Sequence, residues 1–163
     1  MQEIPFDADN QDILERLRAV PVFDSLPDNY IRQAMRVAAV RRYDAGEVVI
    51  EEGEFDNRVF FLIFGLLDIS VKGNTVGTLR RLGDVFGEMG VIDGSPRSAT
   101  ITATRPSLVI TLDDTAIGAL GEVSKIFTQA VMYRLFAEVL AVRLREANSE
   151  ITRLHEEILH LKG

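Results

Sequence analysis

The sequence predicts an α+β protein: an antiparallel, jelly-roll-like β-roll with helices before it and one long C-terminal dimerisation helix after it. Three observations carry this expectation. Between Arg41 and Phe86, turn residues recur at short intervals among runs of Val, Ile, Leu, Phe and Thr. Beyond Asp113-Asp114, apolar residues alternate at spacings of four and three to the end of the chain. Before Arg41 the apolar spacing is helical and is interrupted by Pro21 and Pro27. The division that follows is residues 1–120 for the β-roll with its N-terminal helices and 121–163 for the long helix.

The first helix is expected over "NQDILERLRAV", with Asn10 as N-cap, Ile13, Leu14 and Leu17 on one face, and Pro21 as its stop. A second is expected over "LPDNYIRQAMRVAAV", with Ile31, Ala34, Met35 and Ala38 on its apolar side. The strands follow, separated by Asp44-Ala45-Gly46, Glu52-Gly53-Glu54, Gly65, Lys72-Gly73-Asn74 and Gly83-Asp84. "RSATITATRPSLVITLDD" adds two more strands, broken at Pro106, and Asp113-Asp114 reads as the N-terminal cap of the next helix. In the long helix, Ala130, Ala137, Leu144, Ile151 and Ile158 take heptad position a, and Leu140, Leu154 and Leu161 take d. Ile at a with Leu at d favours two parallel strands, so a parallel homodimer is expected, with Glu157 at g facing Lys162 at e of the second chain. Phe127, Val131, Leu135, Phe136 and Val139 lie off the seam and are expected to pack on the chain's own β-roll.

Composition narrows the function. The chain has 163 residues, no cysteine and a formal net charge of −7, so it has no disulfide, thiolate nucleophile or Cys-based metal site. An acidic chain with only the small clusters Arg41-Arg42 and Arg80-Arg81 is a poor phosphate-backbone binder, so direct nucleic-acid contact is not expected. No stretch is long and apolar enough for a membrane span, and "MQEIPFDADNQD" lacks the basic and apolar regions of a signal peptide, so a cytoplasmic location is expected. His155 and His160 are five apart and do not share a helical face, there is no Ser-centred nucleophile motif or P-loop, and the β-region holds no His. Neither a catalytic residue nor a metal site is expected.

The chemistry concentrates in "GDVFGEMGVIDGSPRSAT", residues 83–100. Glycines let backbone N–H groups approach a phosphate, and a helical turn after Gly87 gathers them. Arg97 supplies a permanently charged fork suited to phosphate oxygens, Ser98 a hydroxyl, and Glu88 an acceptor for a sugar hydroxyl. These residues fit an anion with a neighbouring hydroxyl. They equally allow Arg97 and Glu88 to pair with each other across neighbouring strands.

Phe86-Gly87-Glu88-Met89 followed by Pro96-Arg97-Ser98-Ala99-Thr100 resembles the phosphate-binding cassette of cyclic nucleotide-binding domains. "YDAGEVVIEEGEFDNRVFFLIFGLLDISV" resembles that family's first strands, "LRAVPVFDSLP" its first helix and turn, and "AVRLREANSEI" the dimer helix of CRP/FNR-type regulators. The resemblance implies a cAMP or cGMP ligand and no other cofactor. It implies that Arg97 binds the exocyclic phosphate oxygens, with Ser98 and the N–H groups near Gly87, Glu88 and Ala99 completing the cradle between Phe86 and Met89. It implies that Glu88 accepts from the ribose 2′-hydroxyl. On the dimer helix it places Ala147 and Asn148 at base-contacting positions and Arg143 within reach of the ribose-binding glutamate, although Arg143 and Asn148 also suit a solvated coiled-coil flank. Ser98 suits either base, and cAMP is favoured over cGMP.

The chain stops at Gly163, where CRP/FNR-type transcription factors continue into a helix-turn-helix domain. The expected output is therefore a downstream protein partner rather than DNA. The rivals are a constitutive docking dimer whose pocket is filled by an Arg97–Glu88 pair, and the sensor fragment of a transcription factor.

Overall fold

The computed structural model describes residues 1–4, 15, 18, 27–113, 115, 116 and 122–162. In chain order these form β1 (Gln2–Ile4), α1 (Asp28–Arg36), β2 (Ala38–Tyr43), β3 (Val48–Ile50), β4 (Arg58–Phe64), β5 (Leu67–Val71), β6 (Asn74–Leu79), β7 (Val85–Phe86), α2 (Glu88–Asp93), β8 (Thr100–Ala103), β9 (Ser107–Asp113) and α3 (Glu122–Lys162). The strands make two antiparallel sheets, β1-β2-β9-β4-β7 and β3-β8-β5-β6. The expected α+β roll with a long C-terminal helix is what the chain forms.

β4 shows why the roll is stable. Its sequence "RVFFLIF" is apolar almost throughout because both faces are covered. Phe60 and Leu62 point into the core between the sheets, with Tyr43, Val49, Ile50, Leu67, Phe86, Ile101 and Val109. Val59, Phe61 and Ile63 point the other way, into a second core with Ile31 and Met35 of α1 and Met132, Leu135 and Phe136 of α3. Each fully buried Phe or Leu contributes about 1.5–3 kcal/mol. The two cores therefore fix the sheet between a second sheet and the helices.

Of the first expected helix, Glu15 and Arg18 are helical, while Asn10, Ile13, Leu14, Leu17 and Pro21 lie outside the described residues. The second helix is shorter than its spacing predicts. It ends at Arg36, and Ala38, Ala39 and Val40 are strand residues. Asp28 in its first turn and Arg36 in its last complement the helix dipole. The cause of the early stop is tertiary. β2 pairs with β9 from Ala38↔Leu112 to Tyr43↔Ser107, and these ladder bonds outweigh the helical preference of the two alanines. β1 pairs with β2 through three residues, too few for its alternation to be read from sequence.

α3 has 41 residues and is about 60 Å long at 1.5 Å per residue. Its first half docks on the roll through Met132, Leu135 and Phe136, with Val131 and Val139 partly buried beside them. Met132 joins the residues expected there, and Phe127 is half-buried. The heptad seam lies on a separate face: Ile126, Tyr133, Leu144, Ile151, Leu154, Ile158 and Leu161 are all exposed on the single chain. Asp113 accepts from the Thr115 N–H at 2.8 Å, as a capping carboxylate does, while Asp114 lies outside the described residues. Glu157 pairs with Arg153 of its own helix at 3.1 Å, and the Lys162 side chain lies outside the described residues. No described helix is long and apolar enough to cross a membrane.

Candidate functional site

The glycine-rich stretch folds as a strand end, a tight turn and a short helix. β7 places Phe86 against β4, where its ring stacks on Phe60 with centroids 5.1 Å apart. Gly87 follows at φ 79° and turns the chain into α2. α2 stops after Asp93 at Gly94, whose N–H donates to the Gly90 carbonyl at 3.1 Å. The chain then runs back past the roll to Arg97 and β8. Gly53 and Glu54 hold it there: the Gly53 N–H donates to the Arg97 carbonyl and the Arg97 N–H to the Glu54 carbonyl, both at 2.8 Å.

This path borders an open cavity lined by Phe86, Gly87, Glu88, Met89, Arg97, Ser98, Ala99 and Arg143, together with Gly90, Ile50, Ile69 and Ile101. Eight of the ten expected site residues thus meet around one space. The other two, Ala147 and Asn148, are exposed further along α3 and do not line it; the Asn148 carbonyl accepts from the Thr152 hydroxyl at 3.0 Å. The three isoleucines carry no sequence signal beyond ordinary strand residues.

The central groups are buried. Arg97 is 4% exposed and Glu88 1%. They do not pair with each other. Arg97 donates through Nη1 to the Gly87 carbonyl and through Nη2 to the Arg58 carbonyl, the latter at 2.5 Å. Its Nη2 also lies 3.2 Å from Oδ2 of Asp56. Among the described residues its Nε, which is buried, has no acceptor. Such an orphan costs about 1–3 kcal/mol, and more for a charged group, unless a ligand supplies the acceptor. Glu88 instead accepts from Arg143 Nη1 at 2.5 Å, and Arg143 Nη2 donates to the Val85 carbonyl at the same distance. α3 is therefore fastened to the cassette through the carboxylate expected to hold a sugar. The Ser98 hydroxyl rests 3.7 Å from the Met89 sulfur.

The glycines serve the arginine more directly than a ligand. A Cβ on Gly87 would sit 2.8 Å from Arg97 Nη1 and 3.0 Å from the Arg58 carbonyl oxygen, and one on Gly90 would sit 3.4 Å from Arg97 Nη1. The Phe-Gly-Glu-Met-Gly pattern is the space in which the guanidinium is seated.

Sequence reasoning passed over Asp56, Arg58 and Phe60. Asp56 lies 41 positions before Arg97, so no local pattern joins them. Burial would raise the Asp56 pKa, but hydrogen bonds from Arg58 and the charge of Arg97 outweigh it and hold the carboxyl below its ordinary 3.8. A carboxylate with a lowered folded pKa stabilises the fold fully above its unfolded value and loses that contribution as pH falls through the folded value. Asp56→Asn is thus expected to unfold more easily than the wild type at pH 7. The gap should shrink steadily as pH falls below about 4. Urea titrations of both proteins at pH 7 and pH 3 check this, and a gap that widens at pH 3 would contradict it.

Two guanidinium groups and one carboxylate line the cavity, a locally positive seat in a chain of net charge −7. It can hold one anionic charge at Arg97 and a hydroxyl donor at Glu88. Among the described residues no cluster of metal-ligating side chains accompanies it.

Comparison with known proteins bears on this arrangement. The family profile of the cyclic nucleotide-binding domain matches residues 40–122, from β2 through the cassette and β9 to the start of α3. A cAMP-dependent protein kinase regulatory subunit of Eremothecium gossypii is 37% identical over 99 residues, covering 59% of this chain and 21% of that protein. A Pycsar effector protein of Xanthomonas perforans is 30% identical over 152 residues, covering 93% of this chain and 43% of that protein. The chain therefore spans less than half the length of either relative. A solved cyclic nucleotide-binding domain from Methylobacillus flagellatus KT has the same fold, with a TM-score of 0.75 and 20% identity over 92% of this chain and 86% of that one. With its cassette, its roll and the match over residues 40–122, this chain belongs to the cyclic nucleotide-binding domain family.

Proposed function

We propose that the chain is a receptor for a cyclic mononucleotide, cAMP ahead of cGMP, that works as a parallel homodimer and passes its state to a partner protein through α3. The observation that carries the reading is Arg97: a buried guanidinium beside a cavity, seated by main-chain carbonyls and left with an unpaired Nε. In this reading Arg97 binds the exocyclic oxygens of the cyclic phosphate. Ser98 and the N–H groups near Gly87, Glu88 and Ala99 complete the cradle, and Phe86 and Met89 form its walls. Glu88 accepts from the ribose 2′-hydroxyl. Ser98 accommodates either purine. The preference for cAMP draws on the Eremothecium relative, which is named for cAMP.

The relay follows from one shared carboxylate. Arg143 on α3 and the ribose hydroxyl address the same group, Glu88, so ligand entry changes what holds α3 to the cassette. The ligand shifts the helix only by the difference in its affinity for the two helix positions. The second chain brings Asn148, at heptad position e, beside the g-position Arg143 of the first. Residues 1–120 are the sensor unit and 121–163 the dimer and output helix. The net charge of −7 favours a protein over nucleic acid as the recipient.

Three measurements test this. Titration with cAMP and cGMP is expected to show tighter binding of cAMP; equal or reversed affinities would remove that preference. Spin labels on β6 and on the exposed part of α3 are expected to report a changed separation when cAMP is added, and an unchanged separation under saturating ligand would refute the relay. For the dimer, Ile151→Glu with Leu154→Glu places charges in the exposed seam without touching either core. Sedimentation equilibrium should show a dimer for the wild type and a monomer for this variant, with unfolding of the roll little changed.

A further inference from the structure

We propose that Arg58 is a positioning residue for the anion site: it engages the Asp56 carboxylate and so keeps the Arg97 charge available to a phosphate. Asp56 stands between two guanidinium groups. Its Oδ1 accepts from the Arg58 N–H at 3.0 Å and from Arg58 Nε at 2.8 Å, and its Oδ2 accepts from Arg58 Nη2 at 2.9 Å. Arg97 Nη2 is 3.2 Å from the same Oδ2, farther than any of these. The fork between Arg58 and Asp56 uses both carboxylate oxygens in the two-point geometry that makes such pairs strong. Arg97 donates instead to the carbonyls of Gly87 and Arg58, which carry no net charge.

Both guanidiniums also lie over the Phe60 ring. Arg58 Cζ lies 5.8 Å and Arg97 Cζ 5.7 Å from the centroid of the Phe60 ring. The carboxylate is therefore within reach of either, and which one holds it sets the charge left at the phosphate seat. If Arg58 loses its charge, the cation remaining beside Asp56 among the described residues is Arg97. An Asp56–Arg97 fork would then compete with an incoming anion. Side-chain substitution at Arg58 keeps its carbonyl, so the seat beneath Arg97 remains.

This inference rests on the reading that Arg97 holds the phosphate, and its test is built to separate the two. Arg58→Gln, Asp56→Asn and the double variant are titrated with cAMP and melted in parallel. Arg58→Gln is expected to weaken cAMP binding about 10-fold, while the same change in the Asp56→Asn background alters it less than about 2-fold. Arg58→Lys, which restores charge but not the fork, should recover part of the loss. An equal loss in both backgrounds would overturn the proposal, because a merely structural role for Arg58 does not depend on Asp56. A ligand-free arm reads the guanidinium 15N signals of Arg97, which should change in Arg58→Gln as Asp56 engages them; unchanged signals would overturn it too. Failure of the wild type to bind any cyclic nucleotide would sink the functional reading, and the 15N arm would still decide the role of Arg58.

Discussion

Arg97→Ala is expected to weaken cyclic nucleotide binding by about 100-fold or more, some 3 kcal/mol. The estimate follows from the burial of the site. Arg97 is 4% exposed, so its attraction for a phosphate is little screened by water. The loss should include a smaller cost to the fold. The Gly87 and Arg58 carbonyls each lose a donor, worth about 1 kcal/mol apiece where water cannot replace it. Arg97→Lys separates the two contributions: it keeps a positive charge but cannot bridge the Gly87 and Arg58 carbonyls while presenting an edge to the ligand. It should therefore bind better than Arg97→Ala and worse than the wild type. Calorimetric titration of the three proteins checks the order, and Arg97→Ala binding as the wild type does would exclude Arg97 from the site.

Gly87→Ala should be the most damaging single methyl in the cassette. At φ 79° an L residue is strained by about 1–2 kcal/mol. The new Cβ would also lie 3.0 Å from a main-chain oxygen, Arg58 O, and 3.1 Å from the Phe60 ring, neither of which swings aside cheaply. A total near 3 kcal/mol, and a fall in Tm of about 10 °C, is expected for a domain of this size. Binding should fall as well, because the same Cβ displaces Arg97 Nη1 from its seat on the Gly87 carbonyl. Gly94→Ala is the control. It has positive φ, 67°, but open space around its Cβ, so only the backbone strain applies. Thermal melts of the two variants should differ by several degrees in that order, and equal melting temperatures would mean that the close approach to Arg97 is not a constraint.

The contrast between these two glycines shows where sequence reading succeeds and where it stops. Whereas Gly94 was not singled out, the turn after Gly87 was legible, because Gly among apolar strand residues marks a change of direction. What Gly87 makes room for was not, because Arg97 lies ten positions away and its path depends on the whole roll. Glu88 and Arg97 were both legible as site residues, yet whether they paired with each other was open. The answer came from two partners outside the stretch, Asp56 for Arg97 and Arg143 for Glu88. Contacts that span 41 and 55 residues leave no trace in local periodicity. The boundary between α1 and β2 failed for a related reason. Ala38, Ala39 and Val40 extend a helical apolar pattern, and only the presence of β9 beside them makes a strand the better solution. The two faces of the long helix were legible because they differ in sequence: Leu135 and Phe136 fall off the heptad seam and pack on the roll, while Leu144, Ile151, Leu154, Ile158 and Leu161 stay on it and are exposed.

The central claim is that the cavity beside Arg97 and Glu88 binds a cyclic nucleotide through its phosphate and its 2′-hydroxyl. The direct measurement is a calorimetric titration of the ligand-free protein with cAMP and with 2′-deoxy-cAMP. Binding of cAMP near the micromolar range, about −8 kcal/mol, with 2′-deoxy-cAMP weaker by about 10-fold or more, is the predicted result. No heat with cAMP or cGMP, or equal affinity for the deoxy analogue, would contradict it.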